Sequence, residues 1–250
     1  MNFQVVYVLW LRQIKRYARS RARIIGSLGQ PLLFLIALGF GLGPIYEQAG
    51  GGNYIQFLAP GVIAMSVLFT AMFSGIEVIW DRQFGFLKET LVAPVSRLDI
   101  MIGRTVGGAT VAGLQGLIVF VITLFTGFRP HSLLLLFGAG LIMFLIGLLF
   151  TGLGTALASR LQDMQGFQLI MNFLIMPTFF LSGALFPLDG LPSVLTVITR
   201  INPLSYGVDG LRATLIGQSH FGLGLDFTVL ILVTVFAIIL GAYSFSKIEA

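Results

Sequence analysis

The sequence predicts an all-α integral membrane protein. It has six transmembrane helices, an N-terminal interfacial helix, a short cytoplasmic helix between spans two and three, and an outer re-entrant helix pair. Three observations predict it. Six long apolar runs succeed one another along the 250 residues. Composition is 56% hydrophobic and only 10% charged, with a mean hydropathy of +0.96, too few charges to cover a soluble surface. The connecting segments alternate between heavily and lightly basic.

Residues 1–23 come first, as an interfacial helix. Arg12, Lys15, Arg16 and Arg19 are set among Val5, Val6, Leu9, Ile14 and Tyr17. That mixture suits a helix lying in the membrane surface, its apolar residues toward lipid and its arginines toward headgroups. It serves either as a topology signal alone or as a structural collar that touches a partner. The apolar stretch that follows runs to Gly41, Gly43 and Pro44 without a clear small-x-small cleavage site, so it reads as a retained first span.

The spans read as 24–43, 58–80, 105–127, 133–158, 166–186 and 226–245. Each holds the ~20 residues that a hydrocarbon core of about 30 Å requires. They are continuous rather than alternating, which favours helices over barrel strands. Arg12, Lys15, Arg16, Arg19, Arg21, Arg23, Arg82, Lys88, Arg97, Arg104, Arg160 and Lys247 fall on one side; Arg129, Arg200 and Arg212 fall on the other. The positive-inside rule puts both termini in the cytoplasm, as an even number of spans requires. The expected location is the inner or plasma membrane. The net charge of +5 sits beside apolar spans, which points to anionic lipid headgroups and away from nucleic acid.

The cytoplasmic loop 81–104 divides at Pro94. Before it, Phe84–Ala93 reads as a short amphipathic helix with Phe84, Leu87 and Leu91 on one face. After it, Ser96 and Asp99 form a capping-box-like pair that starts the third span near Arg97. On the outer side, 187–225 contains two apolar stretches too short to span, Leu191–Ile201 and Leu204–Ile216, parted by Asn202-Pro203. They read as re-entrant, with two helices lying flat as the alternative. Asp209 and Arg212 stand three apart, a spacing at which they can pair.

The stretch FGFLKETLVAPVSR resembles the signature of permease subunits of the ABC type-2 exporter family, carried by Glu89, Leu91, Pro94, Ser96 and Arg97. The segment from Leu181 to Gly217, with its Asn-Pro-Leu break, resembles the same family. The likeness covers nearly the whole chain as a single permease domain, 1–250. Gln83 departs from the pattern, standing where many relatives carry an acidic residue. The resemblance implies a coupling helix, with Phe84, Phe86, Leu87, Lys88, Glu89, Leu91 and Pro94 taking up the motion of a separate ABC ATP-binding subunit. It also implies two permease copies, as a homodimer or pseudo-dimer, and two copies of the ATPase. ATP and magnesium would sit on that partner, with no cofactor on this chain.

The residues exclude several chemistries. Lys15, Lys88 and Lys247 are the lysines, and none follows a glycine, so there is no P-loop and no ATPase activity is expected here. There is no cysteine, and His131 and His220 lie on outer segments, so neither a metal site nor Ser/His/Asp catalysis is expected. Spans three to five hold no mid-membrane charge, which counts against ion-coupled transport. Ser66, Thr70, Asn172, Thr178 and Ser182 are the mid-span polar groups. They line a translocation path or fix interhelical packing. The expectation is a permease that exports an amphipathic drug, lipid or lipid-linked glycan. A stand-alone channel or secondary carrier is the alternative, and an intramembrane enzyme would need converging catalytic residues that are not seen.

Overall fold

The computed structural model describes residues 2–86, 95–132, 134–161 and 163–247, and the described residues form helices and connecting turns. The helices are α1 (Phe3–Arg19), α2 (Arg21–Gln48), α3 (Tyr54–Ser74), α4 (Ile76–Gln83), α5 (Arg97–Phe125), α6 (Leu136–Arg160), α7 (Met164–Phe180), α8 (Ser193–Ile201), α9 (Pro203–Ile216) and α10 (Leu223–Ser246). Among the described residues, five are long and apolar enough to cross a membrane: α2, α3 taken with α4, α5, α6 and α10. With this composition, the protein is a multi-pass membrane protein.

Local signals set the boundaries. The Ser96 side chain accepts from the Asp99 amide at 3.0 Å, so α5 begins at Arg97 as its cap predicts. Asn202 caps α9 through the Leu204 amide, and Pro203 takes the first helical position, where no amide hydrogen is needed. Gly217, left-handed at φ 73, ends α9.

The fifth predicted span is shorter than its apolar composition suggests. Helix α7 has 17 residues, about 26 Å at 1.5 Å per residue. The chain leaves the helix at Leu181, four residues past Pro177, and Gly183 turns at φ 74.

Helix α3 is the centre of the bundle and is buried along most of its length. Helices α2, α5, α6 and α9 surround it, with α10 laid along α6. Helix α6 is the shared wall. A Cβ at Gly147 would press on Ala109 of α5, at Gly152 on Ala237 of α10, and at Gly154 on the Met72 carbonyl of α3. The contact is reciprocal at the α3–α4 break, where a Cβ on Gly75 would collide with the Gly154 backbone.

The connections alternate between two ends. At one end lie α1, the end of α4, the start of α5 and the ends of α6 and α10. Arg82 of α4 donates to Leu161 and Ser159 carbonyls at 3.0 Å, and Arg97 donates to the Ser246 carbonyl. At the other end lie α8, α9 and the α2–α3 hairpin. Helix α7 connects the two: Trp80 donates to Met164 at its start, and Asn202 donates to the Thr178 carbonyl at 2.7 Å near its finish.

The α1 surface corrects one expectation in part. Leu9 and Tyr17 pack on α5 instead of facing outward, while Phe3, Tyr7 and Val8 stay exposed. Gly103 and Gly107, one turn apart on α5, leave room for α1 to approach, and a Cβ there would meet Leu9 at 2.9 Å and Gln13 at 2.7 Å. The Trp10 indole donates to Thr110 at 3.1 Å, and buried Tyr17 donates to Gln115. An indole N–H and a phenol need partners when buried, and α5 supplies both.

Candidate functional site

Two carboxylates organise the end that carries α1. Glu77 and Asp81 stand one turn apart on α4, and both are buried. Arg12 of α1 reaches Asp81 at 3.2 Å, and Arg104 of α5 meets the other oxygen of the same carboxylate. Arg23 of α2 reaches Glu77 at 2.8 Å, with Arg16 of α1 at 3.7 Å. Three helices, α1, α2 and α5, therefore converge on α4 through charge. The Asp81–Arg104 pair is almost fully buried, so losing one partner would strand the other. Arg16 also stacks over Trp80 at 5.4 Å and Arg12 over Phe86 at 5.9 Å. The Asn2 amide donates to Asp99 at 3.0 Å, fixing the start of α1 to the start of α5.

The chain then leaves this cluster for the predicted coupling segment. Phe84 is the C-cap of α4, so it belongs to that helix's end and does not open the next one. Gly85 makes the turn at φ 80, and Phe86 is helical again. Leu87, Lys88, Glu89, Leu91 and Pro94 lie outside the described residues.

Arg12, Lys15, Arg16 and Arg19 come together along one wall of a groove of ≈ 840 Å³ whose other wall includes Trp80, Phe84 and Phe86. A second cavity, of ≈ 360 Å³, opens between the α1–α2 junction and α3. Thr70 lines it with Phe69, Phe73, Arg23 and Gln30. Ser66, one turn deeper, is fully buried and does not line it. Thr178 donates to the Leu174 carbonyl, and buried Ser182 to the Phe179 carbonyl. Asn172 is exposed on α7, beside exposed Gln165 and Gln168. The five mid-span polar residues thus do not share one cavity within a single copy.

At the opposite end, Asp209 and Arg212 do not pair. Asp209 accepts from Ser219 Oγ and from the His220 and Phe221 amides at 2.8–2.9 Å. Arg212 turns away, donates to the Gly183 carbonyl at 3.0 Å and stacks over Phe57 at 4.0 Å. Side chains three apart on a helix can meet, but here the turn after α9 occupies Asp209, and Arg212 is directed toward α3 and the turn beyond α7.

Residues 4–216 match the ABC-2 type transporter family. The chain belongs to that family. Nodulation protein J of Rhizobium leguminosarum bv. viciae is 32% identical over 213 residues, 84% of this chain and 82% of the relative. Nodulation protein J of Rhizobium meliloti (strain 1021) is 30% identical over 220 residues, 87% and 83% of the two chains. The putative transport permease ycf38 of Cyanophora paradoxa is 31% identical over 214 residues, 84% of this chain and 73% of the relative.

For an ABC-2 transport permease, the Glu77–Asp81 cluster is the feature that sequence reasoning missed. In the sequence Glu77 is a lone carboxylate near the inner end of the second apolar run, 58–80. Its partners Arg16 and Arg23 read as topology signals. The available signal was the spacing: two acids four apart at the end of an apolar run, on the side that carries the arginines.

Proposed function

We propose that this chain is the membrane half of an ATP-driven exporter. Two copies form the pathway, each docked to a separate ATP-hydrolysing subunit on the cytoplasmic side of the inner or plasma membrane. In this reading the chain crosses six times, with α7 as the shortest passage. Helix α1 lies at the inner surface, and α8–α9 dip into the outer leaflet. ATP and magnesium belong to the partner. The observation that carries the reading is the charge cluster on α4. A push delivered at the coupling segment, residues 84–94, meets an eight-residue helix tied to α1, α2, α5 and α6. It therefore moves four helices together.

The exposed polar surface of α7 supports the second copy. Gln165, Gln168 and Asn172 stand open on a helix that packs chiefly on α3. Uncovered amides facing hydrocarbon are costly, so this surface faces a second permease or a water-filled path. The cavity beside Thr70 combines Arg23 and Gln30 with two phenylalanines, a lining suited to an amphipathic cargo: a drug, a lipid or a lipid-linked glycan.

The test is purification of a tagged copy from its host in mild detergent, with ATPase and transport assays on the product. A stoichiometric ATPase that co-purifies supports the reading. Leu87→Ala with Glu89→Gln should then leave the permease folded and the ATPase active while export falls. A permease that purifies alone and conducts without ATP overturns it.

A further inference from the structure

At the end opposite α1, two buried carboxyl groups meet where α9 packs on the start of α10. Asp226, in the first turn of α10, is fully buried, and neither of its side-chain oxygens finds a donor among the described residues. Asp209 of α9, also buried, lies within hydrogen-bonding reach of it. The approach is close because α9 has a glycine there. A Cβ on Gly210 would lie 3.6 Å from the Asp226 Cβ and 3.7 Å from its Oδ2. The two acids have unequal surroundings. Asp209 accepts from Ser219 Oγ and from the His220 and Phe221 amides, whereas Asp226 accepts from none of these. The other ionisable side chains around this corner are engaged elsewhere. Arg212 of α9 is turned toward Gly183 and Phe57, and Tyr206 of α9 donates to the Arg200 carbonyl at 2.8 Å. His220, in the turn, faces Asp189 at 3.1 Å, the Arg200 side chain is exposed, and His131 lies against Gly217 beyond the end of α9. Helix α6 brings only the apolar Ile142 against Gly210.

We infer that Asp226 is a proton-binding residue: its carboxyl group is held as the neutral acid and donates to the Asp209 carboxylate, so that one proton ties α10 to α9. Two ionised carboxylates in contact in a buried site repel each other, and a single proton between them replaces that repulsion with a hydrogen bond. The surroundings choose its place. A proton on Asp209 would compete with the donors already there, whereas on Asp226 it supplies the donor that is missing. A metal ion suits the corner less well. It would need several oxygen ligands, and those of Asp209 already face a hydroxyl and two amides. The tie lasts while the proton is bound. When the pH rises far enough to remove it, two like charges face each other and α9 is pushed from α10. In the proposed topology this corner is on the outer face, so the medium outside supplies the proton and sets how firmly α9 is held. The inference uses neither the ATPase nor the cargo of the proposed function, so either can fail without the other.

Infrared spectroscopy of the full-length protein in detergent tests this without any variant. Ordinary aspartates and glutamates release their protons at about pH 4, so at neutral pH they give no band of a neutral carboxyl group. One such carbonyl band should nevertheless be present at neutral pH and should shift in heavy water. It should be missing from Asp226→Asn, whose amide can still donate to Asp209 and so keeps the contact. Unfolding in detergent gives a second readout. Folded Asp226 keeps a proton that the unfolded chain has released, so its contribution to stability falls as pH rises. From about pH 5 upward, the unfolding constant of the natural chain should grow roughly tenfold per pH unit relative to that of Asp226→Asn, until the folded state itself ionises. His220→Gln, which removes the pair with Asp189, should leave that difference in place. No band in the natural chain, or a band that Asp226→Asn retains, overturns the inference. The same pH dependence of unfolding in both proteins overturns it as well. No band, together with stabilisation of the natural chain but not of Asp226→Asn by calcium or sodium chloride, would make the corner a metal-cation site and reject the proton.

Discussion

Glu77 and Asp81 lie one helical turn apart on α4, and each is met by two arginines from different helices. In the interior of a membrane protein, two unpaired carboxylates would carry a large desolvation cost. Here they serve as the junction to which the other elements attach.

Asp81→Asn should therefore destabilise the protein, because it leaves Arg104 buried without a counter-charge. A loss of about 3 kcal/mol is expected in detergent unfolding. Adding Arg104→Met should recover much of it, since the stranded charge is removed along with its partner. Unfolding midpoints of the single and double variants check this. Two equally destabilised variants would mean the pair acts through packing.

The closeness of α1 to α5 depends on two absent side chains. Gly107→Leu places new atoms against Gln13 and the backbone at Trp10. It should lift α1 from α5 at about 1–3 kcal/mol. In a Trp80→Phe background, Trp10 emission should shift to longer wavelength as its indole leaves Thr110. Unchanged emission would show that α1 tolerates the added volume.

The natural chain has no cysteine, so one introduced at Asn172 is unique. If α7 faces a second copy, Asn172→Cys should give a disulfide-linked dimer on mild oxidation in membranes, which requires Cα atoms within about 7 Å. Leu232→Cys, on exposed α10, serves as the control and should remain monomeric on denaturing gels. Cross-linking at Leu232 and not at Asn172 would move the interface to α10.

Arg212 binds a carbonyl beyond α7 and a ring on α3 from its place on α9. Arg212→Met should cost about 2 kcal/mol, the range for a hydrogen bond from a charged donor. Arg212→Lys should recover little, because an ammonium lacks the planar fork that serves both contacts. Thermal unfolding of the three proteins compares them directly.

Local chemistry was legible in the sequence, and long-range pairing was not. Ser96 with Asp99, and Asn202 with Pro203, set helix ends through backbone groups a few residues away, so their spacing is sufficient evidence. Composition alone overestimated α7, because apolarity continues through Leu181–Phe186 although the backbone has turned. Amphipathic spacing identified the apolar face of α1 but not its cover, which depends on glycines about a hundred residues away. The arginine partners of Glu77 and Asp81 come from three other helices, a fact that one sequence does not contain. The polar residues of α7 were readable as a list. Which of them stand open required the bundle.

The charge cluster on α4 also sets an order in time. Arg12, Arg16 and Arg23 leave the ribosome first, and Glu77 follows Arg23 by 54 residues. At ordinary elongation rates of ~5–20 residues per second, the arginines spend roughly 3–10 s as uncompensated cations while the first span inserts. In the proposed topology they act as an anchor during that interval, holding the amino terminus on the side where synthesis began. Their carboxylate partners arrive once the choice has been made, and the same charges then pass from directing insertion to joining the finished bundle.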